Sequence, residues 1–489
     1  LDLPIPTQIV SNGEYLPPSQ SNVQKKVEDL IVEMGDKNAK HLNMSRRQYL
    51  QTSCGMATAF LAMNTIYGGG VFQVSEAEAR DPEMMLERTA RVEGQFIFDD
   101  QTHFLRDDFP HEAILGLGEF AAEHWNPKLK EEGLSLTRYK FENYIAELWY
   151  RSDTKMSLLS GAPFDDPTWW LLHNDQIVAA RDMINDFAGS TRMLGHTVIT
   201  PGQDGWMDEV DRAIEVLKPD SWKSYTIGDP LSPSKYPWRL DDEKLMYPFY
   251  EKAVKAYRNG GPKPTICIHK GLLPPDYETS FKGVWQYATV DDVPKAAQDW
   301  PEMNFVIYHS ALRPFLELPD QAWNEFEESG GYIKWSSDLA AIPEKYGVSN
   351  VYAEIGSTFA NSAVAHPRFC AAFISTLVKG MGADHVVWGT DTVWYGSPQW
   401  QIEAMRRLEV PEDMQKKYDL PALGGENSLT KQAIFGLNSA RLYELGLNEA
   451  KNLPDMPSFS EDKIGQLAER FREEGGKPSN KRYGLVRTA

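Results

Sequence analysis

Cysteine is scarce in this chain, and its three copies stand far apart. They are Cys54, Cys267 and Cys370 in 489 residues, and no two of them have the spacing of a CxxC motif. A disulfide framework or a thiolate zinc site needs paired or closely spaced cysteines, so neither is expected. The easiest compartment for such a chain is a reducing one, and we expect a cytoplasmic protein.

Basic residues are also in short supply. The chain has 50 Lys and Arg against 70 Asp and Glu, which gives a formal net charge of −20. This balance disfavours nucleic acid and anionic membrane surfaces as partners. We expect a small-molecule substrate, which could itself be anionic if the pocket is locally positive.

No uninterrupted apolar run is long enough for a membrane span. Residues 48–75 carry no charge, but Thr, Ser, Gln, Asn and Gly interrupt the segment. Residues 45–79 resemble a twin-arginine export signal, with Arg46-Arg47 first and Ala77-Glu78-Ala79 last. The alternative is a structural helix capped by Ser45 and Gln48. We expect the structural helix and keep periplasmic export as the alternative.

From about residue 90 the chain alternates short apolar runs with segments of helical periodicity. This alternation indicates βαβ units and a parallel sheet. Eight strands are predicted, at 95–99, 155–160, 193–199, 222–227, 264–269, 304–309, 350–355 and 385–390. Eight such units predict an α/β fold, a (β/α)₈ TIM barrel with an N-terminal helical extension and a C-terminal tail.

The predicted barrel spans residues 86–445. Residues 1–85 form an N-terminal arm with helices, the first of them capped by Ser21 and Gln24, and residues 446–489 form the tail. The insertion at about 105–150 is expected to roof the pocket. The basic end of the tail should pack on the body or on a neighbouring subunit, so we expect a homo-oligomer.

The most informative stretch is 95–104, QFIFDDQTHF. Side chains alternate along an extended strand, so Gln101 and His103 should point to the same side and could reach one ion. A histidine after a strand is more often a hydrogen-bonded structural residue. The metal-site interpretation gains support because the same pattern of strand and ligand recurs downstream.

Polar residues stand in or directly after the later strands. They are Lys223, His269, His309, Glu354 and Asp391. A parallel barrel brings these strand ends to one cavity. Imidazole and carboxylate are the usual ligands of a catalytic divalent ion, so the sequence predicts a shared metal site.

These motifs resemble the amidohydrolase superfamily, specifically its amidohydrolase-2 branch, which includes aminocarboxymuconate-semialdehyde decarboxylase and aromatic-acid decarboxylases. The resemblance rests on the first strand end, His269, His309, Gly389–Asp391 and the closing GLNSARLY of residues 436–443. It implies that His103, His269 and Asp391 bind the metal and that His309 is a ligand or an acid/base residue. The family motif H-x-H has Gln101 in place of its first histidine.

An amide oxygen binds a divalent cation more weakly than imidazole does, so Gln101 leaves the first ligand position open. We expect zinc, with iron or manganese as alternatives, and Glu354 or Lys223 as further ligand candidates. Glu354 could instead pair with Lys223, and Lys223 could bind an anionic group of the substrate. His196 is interpreted as a core residue.

Several reactions are compatible with this site. The leading hypothesis is metal-dependent hydrolysis of a small cyclic or aromatic amide, ester or lactone. Asp391 would take the proton of the attacking water, His309 would stabilise the oxyanion, and Trp394 and Tyr395 would line the pocket. The alternatives are decarboxylation of an aromatic or unsaturated acid, an iron or manganese oxygenase, and a non-catalytic barrel subunit.

Overall fold

The structure is a computed structural model of the chain. It describes residues 3–15, 17–110, 119, 121–124, 126–127, 129–130, 135–313, 319–448, 453–454, 459–477 and 486–487. Part of the insertion at 105–150 that was expected to roof the pocket, namely 111–118, 120, 125, 128 and 131–134, lies outside these residues. Its described end forms two short helical segments, Phe141–Ile145 and Ala146–Tyr150.

Eight parallel strands pair in chain order, each with the next. They are β1 Phe98–Thr102, β2 Met156–Leu159, β3 Met193–Val198, β4 Ser221–Tyr225, β5 Thr265–His269, β6 Asn304–Tyr308, β7 Val351–Glu354 and β8 Val386–Val387. The residues after β8 turn back onto β1. Asp100 N donates to Trp388 O over 2.8 Å, and Asp391 N donates to Gln101 O over 2.9 Å. The predicted (β/α)₈ barrel is therefore confirmed.

Strand β1 begins three residues later than the sequence predicts, because polar residues take part in it. The prediction followed the apolar run and ended the strand at residue 99, whereas the observed strand runs to Thr102. Asp99 can lie inside because its carboxylate accepts hydrogen bonds from Thr390 N at 2.9 Å and from the Thr390 hydroxyl. These hydrogen bonds offset part of the cost of burial, which still raises the pKa of Asp99 to about 7.

Helices cover the outside of the barrel and form the N-terminal extension. They are Asn22–His41, Arg46–Leu50, Ser53–Tyr67, Pro82–Val92, Phe141–Ile145, Asn174–Ala188, Trp206–Arg212, Tyr247–Arg258, Tyr277–Ser280, Val293–Asp299, Pro319–Glu328, Ser336–Ala340, Ile342–Tyr346, Thr358–Ala365, Pro367–Met381, Gln399–Arg407, Glu412–Tyr418, Leu429–Gln432, Asn438–Leu442 and Lys463–Glu473. Three wider π-helical turns, Ala146–Tyr150, Ala213–Leu217 and Ala433–Leu437, extend helices.

The segment that resembles an export signal folds as two helices against the rest of the extension. Ser45 and Gln48 form the predicted capping box of the first helix. Thr52 then caps the second helix, Ser53–Tyr67, which packs on the helices Asn22–His41 and Pro367–Met381. Among the helices that the structure describes, none is long and apolar enough to cross a bilayer.

The described parts of the N-terminal arm and of the tail pack on the barrel. Leu3, Ile5, Ile9 and Val10 of the arm are buried in the main core. The tail helix Lys463–Glu473 lies against Ala146–Tyr150 and Asn174–Ala188. The domain boundaries after residues 85 and 445 stay predictions.

The lower end of the barrel is closed by apolar and aromatic side chains. Phe98 stacks on Tyr443, which ends the closing GLNSARLY segment, with 5.7 Å between ring centroids. The Tyr443 hydroxyl also contacts the buried thiol of Cys267 at 3.7 Å. The polar residues at the carboxyl ends of the strands lie at the opposite end, where barrel enzymes place their chemistry.

Candidate active site

Side chains from five strands and the loops after them meet inside the upper part of the barrel. Every candidate ligand predicted from the sequence is at most 3% exposed. These residues are Gln101, His103, His269, His309, Glu354 and Asp391. Burial of so many polar groups is costly unless each has a partner or a ligand, so their contacts decide what the site can do.

His103 and Asp391 form a direct pair. The Nε2 atom of His103 lies 3.2 Å from Oδ1 of Asp391. The other ring nitrogen, Nδ1, lies 2.8 Å from the carbonyl oxygen of Ser160. A carbonyl oxygen only accepts, so Nδ1 carries a proton. In a neutral ring Nε2 then has a lone pair, which would face a lone pair of Asp391 Oδ1 and repel it. A proton on Nε2 or a metal cation between the two atoms would remove this repulsion.

The second oxygen of Asp391 is held by two further donors. Oδ2 accepts from the hydroxyl of Ser357 and, at 3.2 Å, from the side-chain amide of Asn12. Burial raises the pKa of Asp391, but the hydrogen bond from His103 and the charges of His103 and His309 outweigh it and lower the pKa to about 2. Asp391 is therefore a carboxylate at neutral pH.

His309 follows β6 in a strained turn. His309, Ser310 and Ala311 all have positive φ, at 61°, 49° and 50°, a conformation that costs non-glycine residues energy and that clusters at functional sites. The His309 Nδ1 atom lies 2.8 Å from the carbonyl oxygen of Gly356 and donates to it. Within the part of the chain that the structure describes, its buried Nε2 atom has no hydrogen-bond partner. Burial lowers the pKa of His309 to about 4, so the ring is neutral and Nε2 offers a lone pair.

His269 stands beside His309. The two ring centroids are 4.5 Å apart with the rings edge to face, and the other side of His269 stacks on Tyr225 at 4.2 Å. Burial, together with the charges of His309 and Lys223, moves the pKa of His269 well below its ordinary value. The two aromatic neighbours fix the orientation of this ring.

Glu354 lies inside the barrel, where its carboxylate is held by backbone donors. It accepts from the backbone N–H of His309 at 3.0 Å and from that of Gly356. A Cβ atom on Gly356 or Gly389 would collide with this carboxylate, so both glycines are needed to make room for it. Burial raises the pKa of Glu354 well above its ordinary value. Of the ion pairs among described residues, none joins Glu354 to Lys223, in contrast to one of the sequence interpretations.

Gln101 lies next to this carboxylate. Its amide oxygen is close enough to Gly356 to collide with a Cβ atom there. The oxygen is buried and has no donor among the described residues. A buried amide oxygen without a donor is a free ligand atom or a position for water.

Lys223 extends from β4 into the barrel and is fully buried. Its ammonium lies 3.6 Å above the Tyr308 ring and 5.2 Å from the Tyr225 ring. No described residue accepts a hydrogen bond from Nζ. Burial lowers the pKa of Lys223 to about 8. This is a cation held by aromatic faces without a counter-ion in contact.

The remaining candidate residues, His196, Tyr395 and Trp394, lie around the side chains described above. His196 is buried in the barrel with Nε2 at 3.5 Å from the Tyr308 hydroxyl. The Tyr395 hydroxyl contacts the Ser357 hydroxyl at 2.7 Å, so Tyr395 stands in a polar network behind Asp391. Trp394 is buried and packs on Tyr139 at 5.1 Å.

Three residues of this region were missed by the sequence reasoning. Asn12 and Glu14 belong to the N-terminal arm, and Ser357 follows β7. The Glu14 carboxylate accepts from the Tyr225 hydroxyl at 3.0 Å and from the Asn12 amide at 2.9 Å. The only local signal was the Asn12-Gly13 turn dipeptide, which predicts a turn but not its location.

The donor atoms fit a divalent cation in kind. Hydrogen bonds to backbone carbonyls fix the tautomers of His103 and His309 and direct Nε2 inward, as outer-shell partners do for metal-binding histidines. Two ligands about 2.1 Å from a common ion lie roughly 3 Å apart at an angle near 90°, and His103 and Asp391 have that separation. However, no group of three or more described His, Cys, Asp or Glu residues is arranged to hold a metal ion.

No protein-family model matches the chain, and no curated protein matches it in sequence. Solved structures are similar in fold. 2,6-Dihydroxybenzoate decarboxylase from Rhizobium is 13% identical over 72% of this chain and 99% of its own, with a TM-score of 0.41. 5-Carboxyvanillate decarboxylase from Novosphingobium aromaticivorans, with bound manganese, is 14% identical over 72% of this chain and 98% of its own, also at 0.41.

A third neighbour is 4-oxalomesaconate hydratase from Rhodopseudomonas palustris. It is 15% identical over 78% of this chain and 99% of its own, with a TM-score of 0.41. Aromatic-acid decarboxylases, which the strand-end motifs resemble, are thus among the structures that this chain is similar to. At these identities and scores the similarity concerns the barrel fold, and the reaction has to be argued from the site of this chain.

Proposed function

We propose that this protein is a metal-dependent hydrolase of a small, carboxylate-bearing cyclic or aromatic amide, ester or lactone. The observation that carries the proposal is the 3.2 Å pair of His103 and Asp391, next to the free Nε2 atom of His309. An ionised carboxylate and a neutral imidazole are proton acceptors, and a hydrolase needs an acceptor to activate water.

Lys223 supports a negatively charged substrate. A buried ammonium without a hydrogen-bond acceptor is costly in the free protein, and a substrate carboxylate would supply the missing partner. Arg313, a further cation just after β6, already bonds to Glu325. We therefore assign the binding of the substrate carboxylate to Lys223.

In this mechanism Asp391 accepts the proton of the attacking water and returns it to the leaving group. Ser357, Asn12 and His103 hold the carboxylate in one orientation. The sequence hypothesis made His309 the group that stabilises the oxyanion. Because neutral His309 has its proton on Nδ1, its Nε2 atom accepts, and we propose it as a ligand or proton acceptor instead.

A divalent ion at this site would be held by His103, Asp391 and His309, with His269 and Gln101 as further donors. Such an ion lowers the pKa of bound water towards ~7 and polarises the scissile carbonyl. We propose zinc or manganese as the ion.

Decarboxylation of an aromatic or unsaturated acid is the second candidate. The specific observation in its favour is again Lys223, since a cation without a partner would hold the carboxylate that leaves. Asp391 would pass a proton taken from solvent to the substrate carbon as carbon dioxide leaves. The two candidates differ in their products, because one consumes water and the other releases carbon dioxide.

The test is a substrate panel on protein stripped with a chelator and reloaded with zinc or manganese. The panel holds ring amides, esters and lactones with a carboxylate, together with aromatic and unsaturated acids. Mass spectrometry detects hydrolysis products, and a coupled assay detects carbon dioxide.

Asp391→Asn should abolish turnover, whereas Asp384→Asn, an exposed carboxylate just before β8, should leave it unchanged. Carbon dioxide release without hydrolysis would select the second candidate. No turnover with either metal would contradict both.

A further inference from the structure

The N-terminal arm reaches the candidate active site. Asn12 donates to Asp391 across 379 positions of sequence, and Tyr225, the partner of Glu14, stacks on His269. One short loop therefore contacts two different parts of the site, the Asp391 carboxylate and the wall beside His269.

Both the oxygen and the nitrogen of the Asn12 side-chain amide make hydrogen bonds. Its Oδ1 atom accepts from the backbone N–H of Glu14 at 3.1 Å, which closes a local turn. Its Nδ2 atom donates to Asp391 Oδ2 at 3.2 Å and to Glu14 Oε2 at 2.9 Å. The turn fixes the amide before it meets Asp391, so the donor is directed at the carboxylate with little freedom.

The loop is anchored on both sides. Val10 N donates to the Asn361 side-chain oxygen at 3.2 Å, and the Asn361 amide donates to the Tyr15 hydroxyl at 2.8 Å. Tyr15 also contacts the Tyr395 hydroxyl at 3.3 Å, which itself contacts Ser357. Ile9, Val10 and Tyr15 are at most 3% exposed, and burial of their apolar surface holds the loop in place.

We propose that residues 9–15 form part of the reaction centre. In this loop Asn12 is a positioning residue for Asp391 and, because Asp391 contacts His103, also for His103. The inference rests on the proposed function, because it assigns a role within the same site. Asn12 and Ser357 bind Oδ2 of Asp391 and thereby leave Oδ1 facing His103. Without Asn12 the carboxylate can rotate, and Oδ1 no longer stays opposite the imidazole.

The test compares Asn12→Ala and the isosteric Asn12→Asp with Gln20→Ala. Gln20 lies in the same arm but bonds to Thr7 and Glu28, away from the site. Both Asn12 variants should lower kcat about 10- to 100-fold with KM within about threefold, as loss of an outer-shell partner does. Gln20→Ala should match wild type. Circular dichroism confirms folding, and Asn12→Asp covers the case in which Asn12→Ala does not fold.

A second measurement does not depend on turnover. In protein labelled with ¹⁵N at histidine, the His103 ring signals are assigned by their loss in His103→Gln. They should shift in both Asn12 variants and stay unchanged in Gln20→Ala. A folded Asn12→Ala protein with wild-type kcat and wild-type His103 signals would overturn the inference. If the wild type turns over nothing on the panel, the proposed function fails, and the His103 signals alone decide for or against the role of Asn12.

Discussion

His103 Nε2 and Asp391 Oδ1 are 3.2 Å apart, while Nδ1 of the same histidine donates to the Ser160 carbonyl. The two residues stand 288 positions apart, and the closure of the barrel from β8 to β1 brings them together. Their arrangement requires positive charge between ring and carboxylate. A proton or a divalent ion can supply that charge, and the two cases are distinguished by metal binding.

Metal affinity should depend on His103. His103→Gln replaces an imidazole by a weaker amide donor, so the affinity for zinc and manganese should fall at least about 10- to 100-fold. Titration calorimetry on chelator-stripped protein measures the affinity. The control is His385→Gln, a histidine before β8 that bonds to the Ser349 carbonyl away from the site. Equal affinity in wild type and His103→Gln would remove His103 from the ligand set.

Lys223→Met should make the protein more stable and less able to bind its substrate. The ammonium is buried without an acceptor among the described residues, and Met fills similar space without charge, so unfolding should cost about 1–3 kcal/mol more. KM for a carboxylate substrate should rise, because the anion loses its partner. Urea unfolding and steady-state kinetics measure the two effects. Lys223→Arg, which keeps the charge, is the control, and a destabilised Lys223→Met would mean that the ammonium has a stabilising partner.

Gly389→Ala should destabilise the site through Glu354. The new methyl group would collide with the Glu354 carboxylate and lie 3.2 Å from Gln101 Cβ. Overpacking of this kind costs about 1–3 kcal/mol, measured by urea unfolding. Gly425→Ala, where the added Cβ atom meets no other atom within 4 Å, is the matched control and should be near neutral. An unchanged stability in Gly389→Ala would show that the Glu354 side chain can move aside.

Glu14→Gln should stabilise the protein increasingly as pH rises. Partial burial and the charge of Asp391 raise the pKa of Glu14 from 4.5 to about 7. A raised folded pKa means that the folded state holds the proton more tightly, so the wild type loses stability as pH rises from 4.5 through 7.

The difference between Glu14→Gln and wild type should be absent below pH 4.5 and reach at most about 3 kcal/mol above pH 7. Urea unfolding across this range measures it, with the uncharged arm variant Gln20→Ala as reference. A difference that is the same at every pH would contradict the raised pKa.

Arg88→Met should lower the free energy of unfolding, because it removes a contact between an N-terminal helix and the barrel. The Arg88 guanidinium, on the helix Pro82–Val92, bonds to Glu403 at 2.6 Å, and both side chains are nearly buried. Glu403 keeps Arg406 as a partner at 2.8 Å, so the change removes one charged hydrogen bond and should cost about 1.5–3 kcal/mol. Arg91→Met, on the same helix but half exposed at 57%, should cost below about 1 kcal/mol. Chemical unfolding of both variants checks the contrast, and equal costs would contradict it.

Local patterns were enough for six of the eight strands and for the polar residues at their ends. The strands β2 to β7 lie within two residues of the predicted bounds, because each is an apolar run with turn residues at its ends. His269 and His309 were found as polar residues at the ends of such runs. Strand β1 was misplaced because it continues through the polar residues 100–102, and the backbone of Trp388 that pairs with it lies far along the chain.

The part of the site that escaped prediction depends on contacts between distant segments. Asn12 and Glu14 stand in a Pro-rich polar stretch that was predicted only as part of an N-terminal arm. Their burial follows from the way Ile9, Val10 and Tyr15 meet a surface that exists only after the barrel has formed.

The order of strands and helices in this protein, and the polar residues at the strand ends, were determined by the sequence, since hydrophobic periodicity acts over a few neighbouring residues. Tertiary structure decided which nitrogen of His103 faces Asp391, that Lys223 has no acceptor among the described residues, and that the arm enters the site. Those features are distances between atoms from separate segments, and only the closed barrel fixes such distances.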